Sequence, residues 1–277
     1  MKKKTKKILK ITLLPLLIIV LGNIIFYVYC FLTPKLEINK SQSYYLYDNN
    51  SKLVFGDNDW ISLDKISDDL INATISTEDK YFYKHIGFDY LRIGKAAITN
   101  IINRNKSEGA STITQQYARN LFLNFDKTWK RKIDEAILAG ELEVHYTKKE
   151  ILEGYLNTIN YGGVYGIESA SKYYFDKSAS NLSLAEAALL AGIPKSPNNY
   201  SPIKNYSKAK ERQKIVLTMM KKNKVISEEE YQKALNENIT IVGKSKESNI
   251  ASVNYFKDSV LEELKSLKQI PSNIIET

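Results

Sequence analysis

The sequence predicts a mainly α-helical body preceded by one transmembrane helix. Three observations predict it: an uncharged apolar run at residues 11–32, helix-start signals recurring through the remainder, and strand-like alternation confined to one short stretch.

The run "ITLLPLLIIVLGNIIFYVYCFL" comes first. At about 1.5 Å per helical residue it can cross a hydrocarbon core of about 30 Å. A cleaved signal peptide would have a shorter apolar core and a small-residue cleavage site after it, and "VYCFLTP" offers none. Lys2, Lys3, Lys4, Lys6, Lys7 and Lys10 precede the run with no acid among them. By the positive-inside rule they hold the N-terminus in the cytoplasm and place everything after about residue 33 outside. The same six lysines carry most of the net charge of +9, since the remaining chain has 34 bases against 31 acids. That balance gives no argument for nucleic acid. Cys30 is the only cysteine and His85 and His145 the only histidines, so intrachain disulfides and a histidine-rich zinc centre are excluded.

Next, "YYLYDNNSKLVFGDNDWIS" at residues 44–62 alternates apolar and polar residues around Asp48-Asn49-Asn50, which predicts a small hairpin. Helical pattern follows. Thr147 to Glu150, Ser183 to Glu186 and Ser227 to Glu230 each match the Ser/Thr-x-x-Glu capping box ahead of helix-forming sequence. The three prolines of "AGIPKSPNNYSP" end the helix before them. One helix is predicted near 228–238 and another in "VNYFKDSVLEELKSL". The expected organisation is a basic tail at 1–10, a transmembrane helix at 11–32, and a membrane-proximal connector with the hairpin at 33–54. The main domain follows at 55–222, then a helical extension or linker at 223–277.

Three stretches carry candidate chemistry. On a helical wheel, "WKRKIDEAILAGELEV" at 129–144 is apolar on most sides, with Trp129 and Ile133 in the main arc and Lys130, Asp134 and Glu141 as the solvent stripe. A helix of that kind is expected to be buried. Lys132 and Glu135, three apart, then have to pair or face a cleft. In "GASTITQQYARNLFL" at 109–123, Thr112 with Gln115 fits a capping box. The free N–H groups of such a helix start suit a phosphate or a sugar hydroxyl. The third stretch, "TEDKYFYKH" at 77–85, packs an acidic pair, three aromatics and a histidine into nine residues, a mixture amphipathicity alone does not require.

Together these stretches resemble the motifs of the peptidoglycan glycosyltransferases, the transglycosylase module of class A penicillin-binding proteins and of monofunctional cell-wall polymerases. "EDKYFYKHIGFD" is similar to the first motif, "GASTITQQ" to the second, "RKIDE" to the third and "KKEILEGYLNTINYG" to the fourth; a degenerate fifth follows with Arg212, Val216 and Leu217. The resemblance implies a lysozyme-like fold with a small membrane-proximal subregion. It also implies inverting polymerisation of lipid II into β-1,4-linked glycan with release of polyprenyl pyrophosphate.

Glu78 matches the family's base, which takes the acceptor hydroxyl's proton. Glu135 matches its second essential glutamate, expected to orient Lys132 or to help hold a divalent cation, Mg2+ or Mn2+. Lys132, Arg119 and Lys127 are expected to stabilise the leaving pyrophosphate, and Arg131 to bind substrate. Ser111, Thr112, Gln115 and Gln116 are expected on sugar or phosphate. Asp79, Phe82 and His85 complete the first motif's part of the substrate site, and Asn157 supports the site from the fourth. Expected partners are lipid II, the growing glycan, the bilayer, and other cell-wall synthesis and division proteins.

Some positions depart from the family pattern. Ala110 stands for a usual glycine, Arg119 for lysine, Lys127 for arginine, and Gln213 for the fifth motif's second arginine. Four Ser-x-x-Lys matches occur without any Lys-Thr-Gly, so the expectation is a monofunctional polymerase, with a truncated bifunctional protein left open. A lysozyme-like glycan-cleaving enzyme and an inactive anchored scaffold are the competing readings. The helix expected in 88–106 reads on its own as a core helix with a solvated basic face; beside a lipid-tailed substrate it reads as a membrane-surface helix.

Overall fold

The computed structural model describes residues 2–36, 38, 45–47, 53–55, 60–103, 109–122, 128–243 and 274–276; side chains of residues 2–16, 45–47, 53–55, 97, 101, 122 and 274–276 lie outside the description. Eleven α-helices are described: α1 (Lys2–Leu32), α2 (Asp68–Glu78), α3 (Tyr90–Ile102), α4 (Ile113–Phe122), α5 (Trp129–His145), α6 (Lys148–Thr158), α7 (Ile167–Phe175), α8 (Leu184–Gly192), α9 (Pro197–Tyr200), α10 (Tyr206–Lys222) and α11 (Glu228–Asn236). The strands are three residues each: β1 (Tyr45–Tyr47), β2 (Leu53–Phe55) and β3 (Ile274–Glu276). Helix dominates, as the capping signals required. β1 and β2 pair antiparallel, Leu46 opposite Phe55, and β3 joins β1 in parallel to give the order β2-β1-β3. The turn between β1 and β2, and the helix expected in "VNYFKDSVLEELKSL", lie outside the described residues.

All four predicted capping boxes form. Ser183 with Glu186 and Ser227 with Glu230 close reciprocally. Thr147 N–H donates to Glu150 Oε2 at 2.8 Å and Glu150 N–H to Thr147 Oγ1 at 3.3 Å. Thr112 N–H donates to Gln115 Oε1 at 3.1 Å and Gln115 N–H to Thr112 Oγ1 at 3.2 Å. Each satisfies two donors that a helix start otherwise leaves unpaired.

The chain forms two compact units, residues 1–37 with 85–151 and residues 38–84 with 152–277. In the first, α5 packs against α1 and α4. Gly140 makes the α1 contact close: a Cβ there would lie 2.7 Å from the Phe26 ring and 2.8 Å from Cys30 Sγ. His145 Nε2 lies 3.2 Å from the carbonyl of Cys30 and 3.0 Å from that of Thr33, so the ring donates to the exposed end of α1. In the second unit, α8 is buried along almost its whole length, because "LAEAALLAG" is apolar apart from Glu186, which closes the helix cap and pairs with Lys177, and α2 and α10 pack on it.

α1 is helical through residues 11–32, but the side chains of 11–16 fall outside the description. Among the described residues no helix is long and apolar enough to cross a membrane.

Two expectations need correction. α5 is not buried all round: Trp129 is 88% and Ile133 60% exposed, whereas Glu141, expected on the solvent stripe, is 7% exposed. A wheel fixes a residue's angle but not whether a neighbouring element reaches its height along the helix. Nor is α3 a core helix, since Leu91, Ile98 and Ile102 stand exposed in one line along it.

Candidate active site

The second unit holds Glu78. It is the last residue of α2, whose Leu70 and Ala73 face the core, and the chain then turns through the buried Asp79 and Phe82. Glu78 is 9% exposed. Arg212 of α10 brings a guanidinium nitrogen to 3.9 Å from Glu78 Oε1. Tyr161 is fully buried near the same carboxylate. Its hydroxyl is pushed far above the usual tyrosine range, by burial first and then by the negative charge of Glu78. Tyr174 fixes the Tyr161 backbone by donating to its carbonyl at 2.7 Å.

Asn157 points away from chemistry. Its Nδ2 donates to the carbonyls of Ile61 at 2.9 Å and Glu153 at 2.8 Å, and its Oδ1 accepts from Ile61 N–H at 2.9 Å. Glu153 adds bonds to Trp60 Nε1 and Leu63 N–H, both at 3.0 Å. α6 thereby pins residues 60–63, a supporting role rather than a substrate contact.

The first unit holds Glu135, which is completely buried and surrounded by cations. Arg131 Nη1 donates to Oε2 at 2.7 Å, Lys132 Nζ donates to Oε1, and Arg119 Nη1 stands 3.8 Å from Oε2. Lys132 also donates to Ser111 Oγ at 3.1 Å. The structure thus gathers Ser111, Arg119, Arg131, Lys132 and Glu135, residues separated by up to 24 positions, around one carboxylate. Three positive groups against one negative leave a net positive site. The Nε atoms of Arg119 and Arg131 are buried without a hydrogen-bond partner among the described residues.

Thr112 and Gln115 are absorbed by the fold: both are buried, they close the α4 cap on each other, and Thr112 Oγ1 donates to the Gly87 carbonyl at 2.7 Å. Thr114 donates to Glu143 Oε1 at 2.5 Å, where Lys148 also donates at 2.6 Å. Gln116 stays half-buried on α4, and His85 is half-buried after the turn Phe82–Lys84. Lys127 lies outside the described residues.

A divalent cation does not fit Glu135. Both of its oxygens are already engaged by cationic groups, which an added ion would have to displace. Among the described residues no three His, Cys, Asp or Glu side chains converge. Sequence reasoning named Arg212 only as part of a degenerate motif and assigned nothing to His145 or Glu143. Arg212 meets Glu78 across 134 positions, His145 meets Thr33 across 112, and Glu143 meets Thr114 across 29, so no local pattern signals these contacts.

A family model described as Transglycosylase matches residues 51–221. The chain is 49% identical over 219 residues to penicillin-binding protein 2D of Bacillus subtilis, covering 79% of this chain and 32% of that protein. It is 44% identical to penicillin-binding protein 1A of Aquifex aeolicus, covering 73% of this chain and 27% of the relative. The chain therefore spans about a third of the length of the curated relatives it matches. Among solved structures, penicillin-binding protein 1A of Haemophilus influenzae aligns with 82% of this chain at 24% identity and a TM-score of 0.43. The family match extends over more than half of the sequence, and on that ground the chain belongs to the transglycosylase family.

Proposed function

We propose that this chain is a membrane-anchored peptidoglycan glycosyltransferase that polymerises lipid II into β-1,4-linked glycan, with inversion and loss of polyprenyl pyrophosphate. The observation that carries the reading is the net-positive setting of Glu135, with Arg119, Arg131 and Lys132 on one buried carboxylate. Hydrolysis of a neutral glycan needs no such cluster. Departure of a pyrophosphate does, because its charge is already formed and is stabilised by fixed cations more than by a proton. Glu135 then serves to hold Lys132 and Arg131 in place rather than to meet the phosphates itself.

Glu78 is the general base. It takes the proton of the acceptor sugar's 4-hydroxyl as that oxygen bonds to the anomeric carbon of the donor and the carbon–pyrophosphate bond breaks. Membrane anchorage through residues 11–32, N-terminus in the cytoplasm and catalytic residues outside, is supported by the uncharged run, the six preceding lysines and the exposed apolar line on α3.

Incubating the purified chain with labelled lipid II tests the reading. Polymer is expected; cleaved glycan would point to a lysozyme-like hydrolase, and neither product to a scaffold. Glu78→Gln should lower polymerisation by about 10²- to 10⁴-fold with the fold retained.

A further inference from the structure

Resting on the reading of the Glu135 cluster as the pyrophosphate site, we propose that Trp129 and Ile133 form a seat for the first isoprene units of the polyprenyl chain joined to that pyrophosphate. α5 begins at Trp129, directly after Thr128, whose Oγ1 accepts from Arg131 N–H at 3.1 Å and fixes the first turn. From that start the helix sets two surfaces side by side. Arg131, Lys132 and Glu135 belong to the charged cluster, and Lys132 is its most open cation, with a side chain 39% exposed. Trp129 stands about 60° round the helix from Lys132 and about 4.5 Å before it along the axis. Ile133, four residues on, extends the Trp129 stripe by one turn.

Trp129 is 88% and Ile133 60% exposed, although each carries apolar surface that water solvates poorly. One exposed apolar side chain is ordinary, but two stacked a turn apart beside a cation cluster make a surface that changes from charged to apolar across one helix turn. The ligand that matches both halves is an anion with a hydrocarbon chain attached directly to it. A sugar or a bare phosphate uses only the charged half. In a polyprenyl pyrophosphate the first isoprene is bonded to the anionic head, so a pyrophosphate on Lys132 leaves its chain next to Trp129, where the indole offers a broad face to a branched hydrocarbon. The apolar line read as meeting the bilayer belongs to another helix, with Leu91, Ile98 and Ile102 on α3.

The test uses the full chain in detergent micelles. Trp60 is the only other tryptophan, so Trp60→Phe leaves Trp129 as the sole indole reporter. Farnesyl pyrophosphate should shift its emission to the blue, and inorganic pyrophosphate should not. By titration calorimetry, Trp129→Ala and Ile133→Ala should each weaken farnesyl pyrophosphate roughly 10-fold, the scale of burying one large apolar side chain, and leave inorganic pyrophosphate unchanged. Trp129→Phe should recover most of that loss. With labelled lipid II, both alanine variants should raise KM more than they lower kcat. Because both side chains are exposed, melting temperatures should stay at the wild-type value. Equal affinity of wild type and Trp129→Ala for farnesyl pyrophosphate would overturn the proposal. So would Trp129 emission that is already blue in lipid nanodiscs and unmoved by the ligand, which would assign the ring to the bilayer. If Lys132→Ala weakens neither farnesyl nor inorganic pyrophosphate, the pyrophosphate reading beneath the proposal fails, a separate result.

Discussion

Glu135 shows how a buried carboxylate and the cations around it depend on one another. A fully buried carboxylate is tolerated because Arg131, Lys132 and Arg119 surround it, and its charge in turn offsets the repulsion among those cations. Glu135→Gln should therefore cost about 3 kcal/mol in a denaturant titration, the scale of a buried ion pair broken on one side. Loss of polymerisation should accompany it. A change within experimental error would mean the cations do not depend on the carboxylate. The neighbouring Ser111 accepts from Lys132 at 3.1 Å and completes this setting from the start of α4. Thr112 and Gln115, within four positions of it, are used in the helix cap instead. Residue type alone did not separate these roles, since all three are uncharged polar groups at a helix start.

At the scale of elements, the contact of α1 with α5 turns on a missing side chain. Phe26 and Cys30 occupy the space that a Cβ at Gly140 would fill. Gly140→Leu should force the helices apart and expose the chain's only cysteine, which is completely buried in the native packing. Maleimide labelling of Cys30 should be slow in the native protein and fast in the variant; equal rates would show that the packing is not set by this glycine. α3 makes the opposite case, a helix whose apolar line has no described cover. A nitroxide at Ile98→Cys, in a Cys30→Ser background and reconstituted in a bilayer, should be more accessible to oxygen than to a water-soluble nickel chelate. The reverse order would place α3 in water. The α3 segment on its own read as a core helix, because periodicity reports only that one face is apolar and not what meets it.

At the scale of the molecule, the second unit carries a built-in alkaline limit. Burial raises the hydroxyl of Tyr174 from the usual value near 10 to about 12 and that of Tyr161 further still. A group whose folded value lies above its unfolded value contributes stability that is fully present below pH about 10 and is lost as pH rises through about 12. Thermal unfolding followed between these values should show a steep fall in melting temperature, and Tyr174→Phe should make it shallower. An unchanged slope would show that Tyr174 ionises without unfolding. Tyr174 is tied to the Tyr161 carbonyl and lies 3.2 Å from Ser201 Oγ. Gly162, with φ of +86°, sits where a side chain would strike its hydroxyl, so the pair is part of the unit's core.

The sequence by itself determined whatever depends on near neighbours. The four helix caps, the helical stop at the prolines and the antiparallel pairing of β1 with β2 all follow from residues within a few positions of each other, where backbone geometry fixes who can meet. The order of motifs likewise identified the family from short runs. Tertiary structure alone decided which polar residues were consumed by the fold and which were gathered into a site. Arg212 meets Glu78 across 134 positions, and His145 meets Thr33 across 112. The physical reason is that such pairs are chosen by how helices pack, and packing depends on volumes as small as the absent Cβ of Gly140 or Gly192, which no periodic pattern records.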